Sequence, residues 1–315
     1  MTSGATRRGA EPAGARGSHP AAEDDPAAHW AAALSVTPDG PDRFRGRAPE
    51  QVFDRIYGGQ LAAQSLLAAA GTVGAGFSPI SCHVSFLKLG LARRPVGYEV
   101  NRVADGRTLA TRVVNAVQDG RVLSVSIVSF QSRTSEHDLI DHVPSGPRQA
   151  PAPETLATRN AAMRERYGPD ITPAMSLSAW PVEARYVDRV PWADGVAAPA
   201  NRLWMRSRTA LPEDHLIQCA ALLYAGDLHM FEPVLFPGPV SWHRLVNQRG
   251  YFGATIDYAL WFHRPFRFDE WMLHEQEAPA IARSRGLATG RFWTAQGELA
   301  ASVSELVGIF PDQRS

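Results

Sequence analysis

Two segments of the chain are apolar on every side of the helix that they predict, and each is followed by segments of strand-like composition. The first, "GGQLAAQSLLAAAG", begins at Gly58, and the second, "HLIQCAALLYAGD", ends near Gly226. A helix that is apolar all round has to be covered on all sides. Both helices are therefore expected to be largely buried.

The segments after each helix predict antiparallel strands joined by tight turns. After the first helix, four segments of β-type composition occupy residues 81–89, 96–104, 108–118 and 121–131. The sequences "ADGR" and "QDGR" between them are turn signals. After the second helix the corresponding segments are "GATIDYALWFHRPF", "EWMLHEQEAPA", "RGLATGRFWTAQ" and "GELAASVSELVGIF".

The second half of the chain repeats the order of elements in the first half. "RTLAT" at 107–111 matches "RGLAT" at 285–289, and "QDGRVLSVS" resembles "AQGELAASVS". A repeat of this length indicates two copies of a domain rather than a solenoid. One helix wrapped by an antiparallel sheet is the outline of a hotdog domain, so the sequence predicts an α+β double hotdog. We expect the two sheets to pair edge to edge, because this pairing removes an exposed edge.

Composition divides the chain into four parts. Residues 1–30 are predicted to be a disordered tail, because they are rich in Ala, Gly, Pro and charge and have almost no large apolar side chains. Four acidic residues weigh against a transit peptide, and the tail lacks the apolar stretch of a signal peptide. The N-terminal hotdog domain is assigned to 31–135, an ordered crossover linker to 136–196, and the C-terminal hotdog domain to 197–312.

Composition and charge exclude several classes of function. Lys plus Arg and Asp plus Glu number 32 each, so no overall field favours nucleic acid or an anionic membrane. No apolar run approaches the roughly 20 residues of a membrane span. The two cysteines, Cys82 and Cys219, suit neither a metal site nor a disulfide scaffold. We therefore expect a cytoplasmic protein without a metal or cofactor, and a homo-oligomer is left open.

Several longer segments carry a resemblance to a known family. They are "FRGRAPEQVFDRIYGGQLAAQSLLAA", "SCHVSFLKLG", "ADGRTLATRVVNAVQDGR", "ATIDYALWFHRPFRFDEWMLHEQ" and "GRFWTAQGELAAS". Over roughly residues 40–311, the chain resembles the acyl-CoA thioesterase II family. The resemblance implies a double-hotdog fold, a role in fatty acid and lipid metabolism, and hydrolysis of acyl-CoA by activated water.

The resemblance also implies a site of Asp, Thr and Gln that binds and polarises the attacking water. The Asp matches Asp227 in "LLYAGDLHM", and the Thr matches Thr255 in "ATIDYALWF". At the position of the Gln, in the last strand, this chain has Glu305 in "ASVSELVG". Ser304 would replace it only if the strand slipped by one residue, which turns the side chain to the other face.

The carboxylate of Glu305 changes the expected chemistry of the site. Close to Asp227 it adds repulsion, and one member of such a pair has a raised pKa. One interpretation is a shared proton with hydrolysis retained and the pH optimum shifted. The alternatives are other thioester chemistry, such as dehydration, acyl transfer or cyclisation on CoA or carrier-protein substrates, and a non-catalytic acyl-CoA binder.

Five further residues are candidates for binding the substrate. Gly58, Gly59 and Gln60 open the first helix, where unpaired N–H groups suit a developing oxyanion, although a tight turn explains them as well. Asp257 alternates with Thr255, so the two side chains are expected to share a face. Arg264 either ends its strand or contacts a phosphate of CoA.

Overall fold

The computed structural model describes residues 25–47, 55–92, 94–132, 180–188, 190, 195–240, 245 and 250–311. The helices are α1 (Pro26–Ala33), α2 (Gly58–Ala70), α3 (His215–Gly226) and α4 (Glu232–Leu235). Within the described residues, no helix is long and apolar enough to cross a membrane.

The strands form a single antiparallel sheet in the order β1-β2-β4-β5-β6-β3-β9-β12-β11-β10-β8-β7. In the first half the strands are β1 (Val36–Pro38), β2 (Arg43–Gly46), β3 (Phe77–Phe86), β4 (Val96–Asp105), β5 (Leu109–Gln118) and β6 (Arg121–Ser132). In the second half they are β7 (Val182–Tyr186), β8 (Ala200–Ser207), β9 (Tyr251–Phe262), β10 (Met272–Ala282), β11 (Arg285–Thr294) and β12 (Leu299–Pro311).

The two halves of the sheet meet where β3 pairs antiparallel with β9. The register runs from Ser81 opposite Trp261 to Ser85 opposite Asp257. The Ser85 hydroxyl donates a hydrogen bond of 2.7 Å to Asp257 Oδ1 across this junction. The predicted edge-to-edge pairing of two hotdog sheets is therefore confirmed.

The two long helices pack against each other and are covered by the sheet. In α2 every residue from Gly59 to Ala69 is buried, and in α3 every residue from Gln218 to Gly226 is buried. Most of their residues are alanines and leucines, and the amides of the buried Gln60, Gln64 and Gln218 donate to backbone carbonyls, which explains this burial on all sides. Burial of one leucine side chain contributes about 2 kcal/mol, so these apolar helices supply much of the core's stability.

The predicted tail of residues 1–30 is too long at its C-terminal end. Residues 26–30 belong to α1, whose first turn is capped by Asp25 through the N–H groups of Ala27 and Ala28. Trp30 is buried, and its indole N–H donates a hydrogen bond of 2.8 Å to Ser207 Oγ. A cap and one aromatic anchor are enough to order this helix, whereas residues 1–24 lie outside the described residues.

The predicted linker of residues 136–196 contains part of the second hotdog sheet. Strand β7 lies inside it and pairs antiparallel with β8, with Val182 opposite Ser207 and Tyr186 opposite Leu203. The C-terminal domain therefore begins at or before residue 182 rather than at 197. Strand β7 was not predicted from composition, because five residues are too few to change the average composition of a Pro- and Ala-rich segment. Residues 136–179 lie outside the described residues.

Candidate active site

Asp227 lies at the C-terminal end of α3, facing the interior. It is the C-cap residue of the helix, and only 6% of its surface is exposed. A carboxylate is disfavoured at this negative end of a helix dipole, so the position is not explained by helix stability. The neighbouring Gly226 is required, because a Cβ there would overlap the hydroxyl of Tyr258 on β9. Tyr258 in turn donates to the Leu223 carbonyl at 2.9 Å, which fixes the end of α3 against β9.

The N-terminus of α2 meets Asp227 from the other half of the chain. The N–H of Gly59 donates a hydrogen bond of 3.0 Å to Asp227 Oδ2. A Cβ at Gly59 would overlap the Tyr224 carbonyl oxygen, and a Cβ at Gly58 would lie 3.1 Å from Asp227 Oδ2. The two glycines thus let the positive end of α2 approach the carboxylate. The N–H of Gly59, predicted for an oxyanion, is directed at Asp227 instead.

Thr255 stands between Asp227 and Glu305. Its Oγ1 lies 3.0 Å from Asp227 Oδ1 and 2.9 Å from Glu305 Oε1. Thr255 is half-buried on β9, and Glu305 on the adjacent β12 is 1% exposed. The structure therefore brings together the three residues that the sequence analysis named for water activation.

The prediction that Asp257 shares a face with Thr255 is wrong. The register between β9 and β12 shifts here, with Val307 opposite Thr255 but Leu306 opposite Asp257. This bulge adds Ile256 to one strand and reverses the alternation beyond it. Asp257 is consequently exposed on the outer face, where it accepts the hydrogen bond from Ser85 at the sheet junction.

Gln60 and Arg264 also lie apart from the Asp227 group. The side chain of Gln60 is fully buried, and its amide donates to the Arg47 carbonyl at 3.0 Å, which holds the segment after β2 against α2. Arg264 follows the end of β9 and lies 3.9 Å from Glu298. The strand from Thr255 to Phe262 alone spans roughly 20 Å, so Arg264 is remote from the buried carboxyl groups.

The register of β12 decides between Glu305 and Ser304. Glu305 pairs with Tyr258 and Ser304 with Ala259, so neighbouring residues alternate between the two faces. Tyr258 and Glu305 are both buried on the inner face, whereas Ser304 is only half-buried. A slip of one residue is thus excluded, and Glu305 is the side chain that contacts Thr255.

Burial dominates the electrostatics of the two carboxyl groups. It raises the pKa of Asp227, against polar contacts with Thr255, Glu305, the Gly59 N–H and Tyr57 that lower it. Burial also raises the pKa of Glu305 well above its ordinary value, and the nearby charge of Asp227 raises it further. Glu305 Oε2 is buried and has no hydrogen-bond partner among the described residues. The pair therefore favours one charge rather than two.

Three tyrosines surround the carboxyl groups and were not predicted as part of the site. Tyr57 donates to the Tyr224 carbonyl at 2.8 Å, and the pKa values of Tyr57, Tyr224 and Tyr258 are raised by burial and by Asp227. Their phenols are thus neutral. Tyr258 gave no signal in the sequence, because only the bulge turns it to the same face as Thr255.

A second buried polar group anchors the chain that follows Asp227. Glu232 at the start of α4 lies 2.8 Å from His229 Nδ1 and accepts from Tyr186 at 2.7 Å. Asn201 on β8 donates to its other oxygen at 3.1 Å. These contacts tie the segment after Asp227 to the strands β7 and β8. Sequence reasoning missed them, because the partners are far apart in the chain.

Comparison with known proteins identifies the family. The acyl-CoA thioesterase family matches residues 172–306, and the acyl-CoA thioesterase N-terminal domain matches residues 47–131. Acyl-coenzyme A thioesterase 8 of Homo sapiens is 30% identical over 282 residues, which cover 86% of each chain. Acyl-CoA thioesterase 2 of Haemophilus influenzae is 29% identical and covers 83% of this chain and 90% of its own.

Solved structures agree with this assignment. The acyl-CoA thioesterase II TesB2 from Mycobacterium marinum superimposes with a TM-score of 0.69 at 27% identity, over 91% of this chain and 98% of the other. The tesB protein of Mycobacterium avium subsp. paratuberculosis has a TM-score of 0.70 at 26% identity, over 90% and 98%. Sequence relatives over most of the chain and structures with the same fold lead to one conclusion: this chain belongs to the acyl-CoA thioesterase family.

Proposed function

We propose that this protein hydrolyses acyl-CoA thioesters with a water molecule held by Asp227 and Thr255. The observation that carries the proposal is the hydroxyl of Thr255, placed between two buried carboxyl groups at the N-terminus of α2. Family membership supports the thioester as the substrate. Hydrolysis requires an activated water and a group that accepts its proton, and Asp227 and Thr255 supply both.

The reaction follows from these roles. Asp227 accepts one proton from the water, and the water oxygen attacks the carbonyl carbon of the thioester. Thr255 holds the water in line for this attack. The tetrahedral intermediate then collapses, and its C–S bond breaks. The proton held by Asp227 passes to the departing thiolate. The products are a free acid and CoA with its thiol restored, and Asp227 returns as a carboxylate.

Family membership favours hydrolysis over the other double-hotdog chemistries and over a binder without turnover. A fatty acyl group, a role in lipid metabolism and a cytoplasmic location are part of this proposal. A carrier-protein thioester as a second substrate and a homo-oligomer also remain predictions. Gly58 keeps its proposed contact with the substrate, because it opens α2 directly beside Asp227.

Thiol release from a series of acyl-CoA thioesters, from acetyl to stearoyl, tests the proposal. Asp227→Asn removes the proton acceptor and is expected to lower kcat by about a hundredfold or more. Asp257→Asn is the matched control, because it removes a carboxylate from the strand that carries Thr255 but on the opposite, exposed face. It should leave kcat unchanged.

Three results would contradict the proposal. Equal activity of Asp227→Asn and the wild type would remove Asp227 from the reaction. Binding of acyl-CoA without thiol release by the wild type would identify a binder, and release of an altered acyl group still bound to CoA would identify another thioester enzyme.

A further inference from the structure

We propose that Glu305 is a neutral carboxylic acid that donates its proton to Thr255 and so orients the Thr255 hydroxyl toward Asp227. Glu305 is then a positioning residue, and its proton sets the alkaline limit of activity. The inference rests on the proposed function for its kinetic consequence, although the proton itself is observable without turnover.

The Thr255 hydroxyl has fewer hydrogen atoms than its two carboxyl contacts require. A hydroxyl has one hydrogen to donate, yet Oγ1 lies within hydrogen-bond distance of both Asp227 Oδ1, at 3.0 Å, and Glu305 Oε1, at 2.9 Å. If both carboxyl groups were ionised, Thr255 Oγ1 would have a hydrogen for only one of the two carboxyl oxygens, and the other contact would have none. The arrangement is satisfied only when one of the carboxyl groups carries a proton.

The surroundings assign that proton to Glu305. Asp227 receives the N–H of Gly59 on Oδ2 and faces the positive end of α2, both of which stabilise a carboxylate. Glu305 instead has a buried Oε2, for which the described part of the chain offers no hydrogen-bond partner. The desolvation free energy of a buried, unpaired oxygen is larger when its carboxyl group is ionised than when it is neutral. The hydrogen bonds then run from Glu305 to Thr255 and from Thr255 to Asp227.

Among the residues that the structure describes, the other titratable groups that act on the pair supply no positive charge. They come from the segment before α2, from α3, from β9 and from β3. Tyr57, Tyr224 and Tyr258 interact with Asp227, and Cys82 interacts with Tyr258. Burial raises the pKa of each of them, so all four are neutral at physiological pH. A second negative charge on Glu305 would have no cation among these neighbours.

Ionisation of Glu305 would disturb the reaction in two ways. Thr255 would lose the donor that turns its own hydrogen toward Asp227, so the water would no longer be held in line. A second negative charge would also lie next to the developing oxyanion, which it would repel. Activity should therefore fall as Glu305 loses its proton at alkaline pH.

The dependence of kcat/KM on pH tests this inference with three variants. The wild type is expected to lose about tenfold in kcat/KM per pH unit beyond the pKa of Glu305. Glu305→Gln retains a donor to Thr255 and cannot ionise, so it should keep activity within about threefold at neutral pH and lose the alkaline decline. Glu305→Leu has no donor and should lower kcat about tenfold or more with little change in KM. Ser304→Ala, on the opposite face, is the matched control and should follow the wild type.

Infrared difference spectroscopy tests the proton independently of turnover. The wild type at neutral pH should show the C=O band of a protonated carboxylic acid, and Glu305→Gln should lack it. The same alkaline decline in Glu305→Gln as in the wild type, or a wild-type spectrum without this band, would overturn the inference. Absence of thiol release with the band still present would overturn the proposed function and leave the protonated Glu305 standing.

Discussion

Replacing Glu305 with Gln is expected to change how the free energy of unfolding depends on pH. In the folded protein, burial and the charge of Asp227 raise the pKa of Glu305 well above its ordinary value. In the unfolded chain the same group titrates near pH ~4.3. Between these two pKa values the folded state keeps a proton that the unfolded state has released. The stability of the wild type therefore falls as the pH rises through this window.

The magnitude follows from one extra proton bound by the folded state. Such a proton changes the free energy of unfolding by about 1.4 kcal/mol per pH unit. For each pH unit between the two pKa values, Glu305 should thus lower the stability of the wild type by this amount, and Glu305→Gln lacks this contribution. Burial also raises the pKa of Asp227, so its contribution to the pH dependence has the same sign as that of Glu305.

Urea unfolding of both proteins at several pH values measures this difference. Tryptophan fluorescence reports the transition, and each midpoint multiplied by its m-value gives the free energy of unfolding. The free energy of unfolding of Glu305→Gln, relative to that of the wild type, should grow steadily with pH. The free energy of unfolding of Ser304→Ala should depend on pH as that of the wild type does. A difference that is constant with pH would mean that Glu305 ionises in the folded protein as it does in the unfolded chain, and this would refute the reasoning.

Two further substitutions probe how the site is held. Gly59→Ala places a Cβ against the Tyr224 carbonyl and should push α2 away from Asp227, at a cost of about 1–3 kcal/mol in thermal unfolding and a lower kcat. Unchanged melting and kcat would show that α2 tolerates the displacement. Glu232→Ala leaves the buried side chains of His229 and Asn201 without this acceptor and should cost about 3 kcal/mol, measured by urea unfolding. A loss below about 0.5 kcal/mol would contradict the anchoring role of Glu232.

The sequence predicted the elements whose patterns are long and local. The two apolar helices, the strands β3–β6 and β9–β12, and the pairing of two domains were all expected. Strand β8 and helix α1 were missed, because each depends on distant contacts. Trp30, for example, is ordered by Ser207 and by the ring of Tyr224, with the two ring centroids 5.1 Å apart.

The candidate site was predicted in its three central residues but not in its surroundings. Asp227, Thr255 and Glu305 came from a family pattern, and the structure brings their side chains within hydrogen-bond distance. Asp257 was placed on the wrong face because a bulge is invisible to simple alternation. The protonation of Glu305 depends on burial and on the lack of a partner for Oε2, which only the packed structure reveals.

The contact between Gly59 and Asp227 has a consequence for how the two copies evolve. The N–H comes from the first half of the chain and the carboxylate from the second, so the proposed centre is divided between the two halves. Neither half on its own contains both Gly59 and Asp227, so a sequence change in one half is limited by the contact that it makes with the other. Two polypeptides made by cutting the gene between β6 and β7 would each be inert, and activity would return only when both are expressed in the same cell.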